Sequence, residues 1–377
     1  MMNWINEEST VVVAMSGGVD SSTVAAMLCE QGHKVIGITL QLYDHGLAVS
    51  KKNACCAGQD IYDAKMVAAK LGIPHYVLDY ESKFKDSVID NFVDSYMQGE
   101  TPLPCVQCNQ SVKFKDLLKT AKELGARRLA TGHYVRKVIG DNGAELHTGL
   151  DPLKDQSYFL FATTQEQLDY LHFPLGGLTK EETRQAATRF GLGVADKPDS
   201  QDICFVPDGD YRSVISKIRK DANEKGKIIH INGFELGTHN GIINYTVGQR
   251  RGLGISSHEP LYVVKIDPIT KIIYVGPESA LEAYEFIIKD VNWLGKEIKE
   301  GEKLEVTVKI RSMRPPTPAY VSKVSNSKMK IKLLAPEKAV APGQACVIYD
   351  NNRVLGGGWI TREIGSVIPE SSSRGDS

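Results

Sequence analysis

The sequence has no uninterrupted apolar run of the roughly 18 residues that a membrane-crossing helix needs. Its opening, MMNWINEEST, is acidic where a secretory signal is basic and then apolar. A cytoplasmic protein with no membrane partner is therefore expected. Charge of either sign is not in excess: 45 Lys and Arg stand against 46 Asp and Glu, a net of −1. That excludes a grossly basic nucleic-acid tail and leaves room for a local basic patch. Internal repeats and heptad arrays are also absent, which excludes solenoids and coiled coils. Cysteine occurs in an odd number, seven. In a reducing compartment this favours reactive thiols or metal ligands over a disulfide scaffold. With 377 residues, the chain should divide into two or three domains.

Among what is present, VVVAMSGGVDSS at residues 11–22 is the most informative stretch. The valine-rich run reads as a strand buried on both faces. The following SSTVAAMLCEQGHKVIGITLQL reads as a helix with Val24, Ala25, Leu28 and Cys29 on one side, a stop at Gly32, and a second buried strand. Such a strand, glycine loop, helix and strand unit presents backbone N–H groups to an anion at the helix N-terminus. No lysine follows the glycines, so this is not a Walker loop. Ser21 stands where a dinucleotide fingerprint needs its third glycine. What remains is a phosphate cradle in which Gly17 and Gly18 permit close backbone approach and Ser16, Ser21 and Ser22 add hydroxyls. Asp20 reads as a helix cap or as a ligand to the Mg²⁺ that accompanies ATP. The plainer alternative is a capped glycine turn with no ligand.

Residues 10–206 alternate helix and strand patterns, as in DIYDAKMVAAKLGI with HYVLDY and VKFKDLLKTAKELG with RRLATGHYV. The expected fold class is α/β, a doubly wound parallel sheet. Residues 207–279 turn to short, glycine-punctuated strands, a small β-rich central domain. Residues 280–366 alternate with period two and read as a C-terminal antiparallel β-barrel. The tail, 367–377, ends in PESSSRGDS and is expected to be disordered.

Three of the seven cysteines stand out. In TPLPCVQCNQSVKFKDLL, Cys105 and Cys108 flank two residues in a proline-stiffened loop, with Cys108 at the entry of a helix whose field should lower its pKa. Cys204 lies among charged and turn-forming residues in DKPDSQDICFVPDGD. Cys29 and Cys346 read as core, and the adjacent Cys55 and Cys56 as exposed loop.

Six segments in order, SGGVDS, TPLPCVQCN, ATGHYVR, KDQSYFL, DSQDICF and TVGQRRGLGI, give the chain a resemblance along essentially its whole length. It resembles the tRNA-specific 2-thiouridylase family (MnmA/TrmU), of the N-type ATP pyrophosphatase (PP-loop) superfamily. The resemblance implies an adenine nucleotide alpha hydrolase-like sheet domain, a central tRNA-binding domain and a C-terminal barrel. It implies a sulfurtransferase that adenylates the C2 carbonyl of the wobble uridine (U34) in the anticodon loop of tRNA with ATP and Mg²⁺. Sulfur would come from a cysteine persulfide charged by a donor protein, a cysteine desulfurase or relay carrier, and AMP and pyrophosphate would be released. By position, Cys204 resembles the persulfide carrier and Cys108 the nucleophile that resolves it, leaving a transient Cys108–Cys204 disulfide. ATP contacts are implied for Ala14, Met15, Ser16, Gly17, Gly18, Val19, Asp20, Ser21, Leu40 and Gly132. Contacts with tRNA are implied for His133, Lys154, Asp155, Gln156, Arg311, Ser312 and Gln344. Without the resemblance, Gly132 and His133 read as a strand-end turn and residues 154–156 as a solvated loop. Arg250, Arg251, Arg311 and Arg314 offer a basic path for phosphates.

One departure matters. Many family members carry Asp-x-x-Cys where this chain has Cys105-Val106-Gln107-Cys108. A thiol is a poor substitute for a carboxylate in proton transfer, and the extra cysteine raises a rival expectation: an iron–sulfur cluster on Cys105, Cys108 and Cys204. Zinc lacks a fourth ligand at suitable spacing. Two further classes are an ATP pyrophosphatase acting on a small molecule, which needs neither paired cysteines nor a barrel, and a tRNA-binding protein without catalysis, against which the intact loop and cysteines argue.

Overall fold

Strand β1 (Thr10–Ala14) is central in a five-stranded sheet because its valines have apolar partners on both sides. The computed structural model describes residues 9–42, 56–141, 143–199, 203–206 and 209–366. Val12 enters one core cluster with Phe114, Leu129 and Tyr158, while Val11 and Val13 enter another with Val24 and Leu28. All three are fully buried, each contributing roughly 1.5–3 kcal/mol of transfer free energy. Helix α1 (Val19–Glu30) follows, then β2 (Lys34–Gln41), helix α2 (Cys56–Leu71), β3 (His75–Asp79), helix α3 (81–97), helix α4 (104–123) and β4 (Arg128–Ala130). A hairpin, β5 (Val135–Gly140) and β6 (Gly143–Thr148), precedes helix α5 (Gln165–Tyr170), β7 (Leu171–His172) and helix α6 (Lys180–Arg189). The sheet order is β3-β2-β1-β4-β7, with every neighbouring pair parallel.

Helix α1 departs from the expected one-sided pattern. Ser21, Ser22, Thr23 and Ala26 are buried along with Val24, Ala25 and Leu28, because the helix is wedged between the sheet and α6. Cys29 is half-buried at its edge, whereas Cys346 is fully buried in the barrel core. Cys56 opens α2 rather than lying in a loop; Cys55 falls outside the described residues, as does the 367–377 tail. Among the described residues no helix is long and apolar enough to cross a membrane.

Helix α7 (Tyr211–Ile218) leads into β8 (Lys225–His230), β9 (Glu235–Asn240), β10 (Tyr262–Asp267) and β11 (Ile272–Gly276). These form a four-stranded sheet in the order β10-β11-β8-β9 around Ile228, Val263, Ile273 and Val275. The last six strands are β12 (Glu282–Trp293), β13 (Leu304–Lys309), β14 (Thr317–Lys323), β15 (Lys328–Lys338), β16 (Ala345–Asp350) and β17 (Arg353–Ser366). They run antiparallel, and pairing of β12 with β17 closes them into a barrel.

RRLATGHYV, expected as one strand, is two: β4 stops at Ala130 and β5 starts at Val135. The β5–β6 hairpin leaves the parallel sheet and extends the barrel sheet through His147 opposite Arg353. One core cluster consequently spans both regions, joining Val12, Phe114 and Tyr158 to Ala345, Val347 and Tyr349. The Tyr158 hydroxyl donates to Ala345 O at 2.9 Å, and Asn292 Nδ2 donates to the carbonyls of Phe161 and Thr163 at 2.7 and 2.8 Å. The barrel is thus a wall of the first domain, and the segment 154–163 is held between them.

Candidate active site: a glycine loop beside three thiols

The loop after β1 is pinned by its own side chains. Ser21 Oγ accepts from Ser16 N at 3.1 Å and lies 3.2 Å from Ser16 Oγ. Gly17 has φ +73°, and a Cβ there would stand 2.1 Å from the Asp60 carbonyl oxygen, so only glycine fits. Gly18 is the N-cap of α1 with no side-chain cap, leaving the first-turn N–H groups available to an anion. Ala14 ends β1, and Met15 and Val19 are buried supports. Met15 N donates to Ile38 O at 2.8 Å, and its carbonyl accepts from Thr39 Oγ1 at 2.8 Å. The Ser22 hydroxyl, fully buried, has no hydrogen-bond partner among the described residues.

Asp20 is not the cap. It accepts from Tyr134 Oη at 2.8 Å and pairs with Lys180 Nζ at 2.7 Å. Lys180 also meets Asp199 at 2.7 Å, and Asp199 in turn meets Lys154 at 2.7 Å and Arg184 at 3.2 Å. Burial works against the Asp199 carboxylate, but hydrogen bonds from Lys154 and Lys180 hold its pKa below the usual range. Lys180 is placed by a capping box at Thr179 and Glu182, which fixes the start of α6. Lys197 Nζ reaches Gly17 O at 3.0 Å, between Asp60 and Asp63. Lys180 and Lys197, 160 and 180 positions from their partners Asp20 and Gly17, were invisible to a reading of the loop alone.

Helix α4 carries Cys105 and Cys108. It starts at Pro104, so Cys108 is the fifth residue, beyond the first turn where a helix field acts. Burial instead pushes its thiol pKa up, as it does for Cys105. From Cys108 to Leu117 the helix is wound with π turns. Lys113, held by Asn109 Oδ1 at 3.1 Å, works against the rise at Cys105, Cys108 and Cys204 alike. Nothing in the sequence beyond a charge on an amphipathic helix marked it. Cys204 is pushed to about 12 by desolvation first, then by the neighbouring Cys108 and Cys105. The residue is nonetheless exposed. Its neighbour Phe205 packs against Phe84 and Phe92, with ring centroids 5.7 and 5.2 Å apart, in the same cluster as Cys108. All three cysteines are free thiols. Among the described residues no three Cys, His, Asp or Glu side chains converge closely enough to hold a single metal ion.

The two halves of the site touch at residues 132 and 133. A Cβ on Gly132 would stand 2.9 Å from Ser21 N. His133 packs edge-on to Phe114 of α4 at 5.8 Å, and its Nδ1 lies 2.8 Å from Thr131 Oγ1. Desolvation, helped by Lys113, lowers the His133 pKa to about 3, so the ring is neutral at working pH. Leu40, at the end of β2, packs against both the sheet core and the cluster around Cys108.

Other predicted residues serve as internal braces. Asp155 Oδ1 accepts from Gly149 N and Ser157 N at 2.9 and 3.1 Å, and Gln156 Oε1 from Tyr134 N at 2.9 Å, so 154–156 is an ordered segment. Gln344 Nε2 donates to Thr101 O at 2.9 Å, bracing the barrel against the approach to Cys105. Arg311, whose guanidinium donates to Ala339 O at 2.6 Å, lies beside Gly248 of the TVGQRRG loop. Ser312 beside it is half-buried, and Arg250, Arg251 and Arg314 are exposed.

Three family profiles match in succession: tRNA methyl transferase HUP domain over residues 9–208, tRNA methyl transferase PRC-barrel domain over 212–277, and aminomethyltransferase beta-barrel domain over 283–360. The chain is 79% identical to a protein of Rickettsia felis and 78% identical to one of Rickettsia conorii, both named tRNA-specific 2-thiouridylase MnmA. Each match covers 97% of this chain and, respectively, 100% and 98% of the relative. Among solved structures, a 4-thiouridine synthetase in complex with RNA and ATP aligns over 56% of this chain and 51% of its own, at 17% identity and TM-score 0.37.

Proposed function

The chain belongs to the MnmA family of tRNA-specific 2-thiouridylases, and from that premise we propose that it replaces the C2 oxygen of the wobble uridine of tRNA with sulfur, using ATP. The observation that carries the reading is the contact of residues 132–133 with both the glycine loop and the helix that carries Cys105 and Cys108. The uridine O2 attacks the α-phosphorus of ATP; the α–β anhydride bond breaks, the N3 proton passes to water and pyrophosphate departs. The amides of Gly17 to Ser21 and the hydroxyls of Ser16 and Ser21 receive it. Ala14, Met15, Val19, Leu40 and Gly132 shape the nucleotide pocket. Magnesium is expected as the counter-ion of ATP, lowering the charge of the departing pyrophosphate, with Asp20 the carboxylate on the loop helix that would meet it.

The outer sulfur of a Cys204 persulfide, loaded by a donor protein such as a cysteine desulfurase, then attacks C2 and AMP leaves with the oxygen. The Cys108 thiolate attacks the inner sulfur; the S–S bond breaks, its electron pair goes to the thiouridine sulfur, and a Cys108–Cys204 disulfide forms for reduction by an external dithiol. His133, Lys154, Arg311 and Ser312 are the proposed contacts with tRNA. Asp155, Gln156 and Gln344 act by holding the surface that tRNA meets. The neutral His133 ring offers the base a flat polar surface without a competing charge. The test is to incubate the protein with ATP, unmodified tRNA, a cysteine desulfurase, cysteine and a dithiol, then to digest the tRNA to nucleosides. One AMP per 2-thiouridine is expected; AMP without any thionucleoside in this mixture would overturn the reading.

A further inference from the structure

We propose that Asp199 is a positioning residue that ties the segment bearing Cys204 to the nucleotide loop, so that sulfur delivery follows adenylation. The inference rests on the function proposed above. Its geometry is a chain of close ion pairs: Asp20 to Lys180 at 2.7 Å, Lys180 to Asp199 at 2.7 Å and Asp199 to Lys154 at 2.7 Å. One carboxylate thus joins the helix behind the loop, the segment facing tRNA and the strand of chain that leads to Cys204. Arg184 fixes that chain further, donating to Ala195 O at 2.6 Å, Lys197 O at 2.9 Å and Asp199 Oδ1 at 3.2 Å. Lys197 adds a direct contact to Gly17 O.

Beyond Asp199 the covalent tether is short. Only four residues lie between it and Cys204, at most about 18 Å of chain even at full extension. At the other end, Phe205 is buried beside Phe84, Phe92 and Cys108. The Cys204 segment is therefore fastened at two points, to the loop through Asp199 and to the resolving thiol's cluster through Phe205. Loss of the first fastening leaves the loop residues and Lys180–Asp20 in place but frees Cys204 from the loop's geometry. An adenylated uridine would then meet water more often than sulfur.

The readout is the ratio of AMP formed to 2-thiouridine formed, with the full protein, tRNA, ATP, a cysteine desulfurase, cysteine and a dithiol. Asp199→Asn is expected to raise this ratio roughly tenfold, the scale of a typical coupling between sites. Asp199→Glu, which keeps the charge, should restore most of it, and Arg184→Gln should raise it by a smaller factor. A purely structural role would depress both products together and leave the ratio unchanged. Should Asp199→Asn fail to fold, Arg184→Gln still decides. A ratio equal to the parent's in the folded variants, beside a parent that makes 2-thiouridine, overturns the inference. A parent that makes none strikes the proposed function instead.

Discussion

Gly132→Ala tests whether the strand end and the nucleotide loop must meet as closely as they do. A Cβ there would lie 2.9 Å from Ser21 N and 3.1 Å from the carbonyl carbon and the Cβ of Asp20. Gly132 has a backbone conformation open to any L-residue, so the penalty is steric alone. The obstructing atoms belong to backbone or stand next to it, and no flexible tip can swing aside. Ordinary contact begins near 3.4 Å, so the two elements must part by about 0.5 Å. Overpacking of this kind costs ~1–3 kcal/mol, or a few degrees in melting temperature. Misplacing reacting groups by ~1 Å can cost ~100-fold, so about tenfold is expected in kcat/KM for AMP formation. Gly177→Ala is the control, because its Cβ would meet nothing within 4 Å. Pyrophosphate release at saturating tRNA gives the rate, and thermal unfolding the stability. A Gly132→Ala protein with parental kcat/KM for ATP would refute the reasoning, as would an equal loss in Gly177→Ala.

Cys204→Ser and Cys108→Ser should form AMP but no 2-thiouridine, while Cys105→Ser, which removes no sulfur-handling thiol, should only be impaired. Equal failure of all three, with bound iron in the anaerobically prepared parent and none in the variants, would replace the relay with a cluster. Because Cys204 titrates near 12, its alkylation in the free enzyme should accelerate about tenfold per pH unit from neutral to alkaline pH. A plateau below pH 9 would contradict that environment. Arg250→Ala and Arg251→Ala should each reduce the salt dependence of tRNA affinity by about one unit of slope, and unchanged slopes would remove those residues from the interface.

The parts of the fold written in local pattern were legible. Three consecutive valines with no alternation fit only a strand covered on both sides, and Val11, Val12 and Val13 are so covered. The period-two segments from residue 282 onward gave the barrel. The β5–β6 hairpin was missed because its partner, β17, lies some two hundred residues away, and nothing in ATGHYV announces a non-local pairing. The cap reading of Asp20 failed for the same reason: a carboxylate in a first turn suggests a cap, and only the fold brings Lys180 to it. The helix position of Cys108 suggested a lowered pKa, but Phe84, Phe92 and Phe205, from two distant segments, dry its surroundings and reverse the sign. The π winding of α4 around Cys108 and Lys113 is likewise a feature that charge pattern does not encode.

The raised thiol pKa values have their own logic. In the proposed cycle two cysteines form a disulfide late, and such thiols are a liability at rest, since exchange and oxidation proceed through the thiolate. Burial holds Cys108 above its ordinary value and Cys204 near 12, so at neutral pH both are protonated and slow to react. A low pKa at Cys108 would speed the last step of that proposed cycle, but it would also expose this thiol to any passing oxidant or persulfide. Lys113 offsets part of the burial at all three cysteines without cancelling it. His133, neutral and packed on the same helix, adds no second cation that would tip the balance. A site built in this way keeps its sulfur chemistry quiet until the adenylated base, with its electrophilic C2, is delivered beside it.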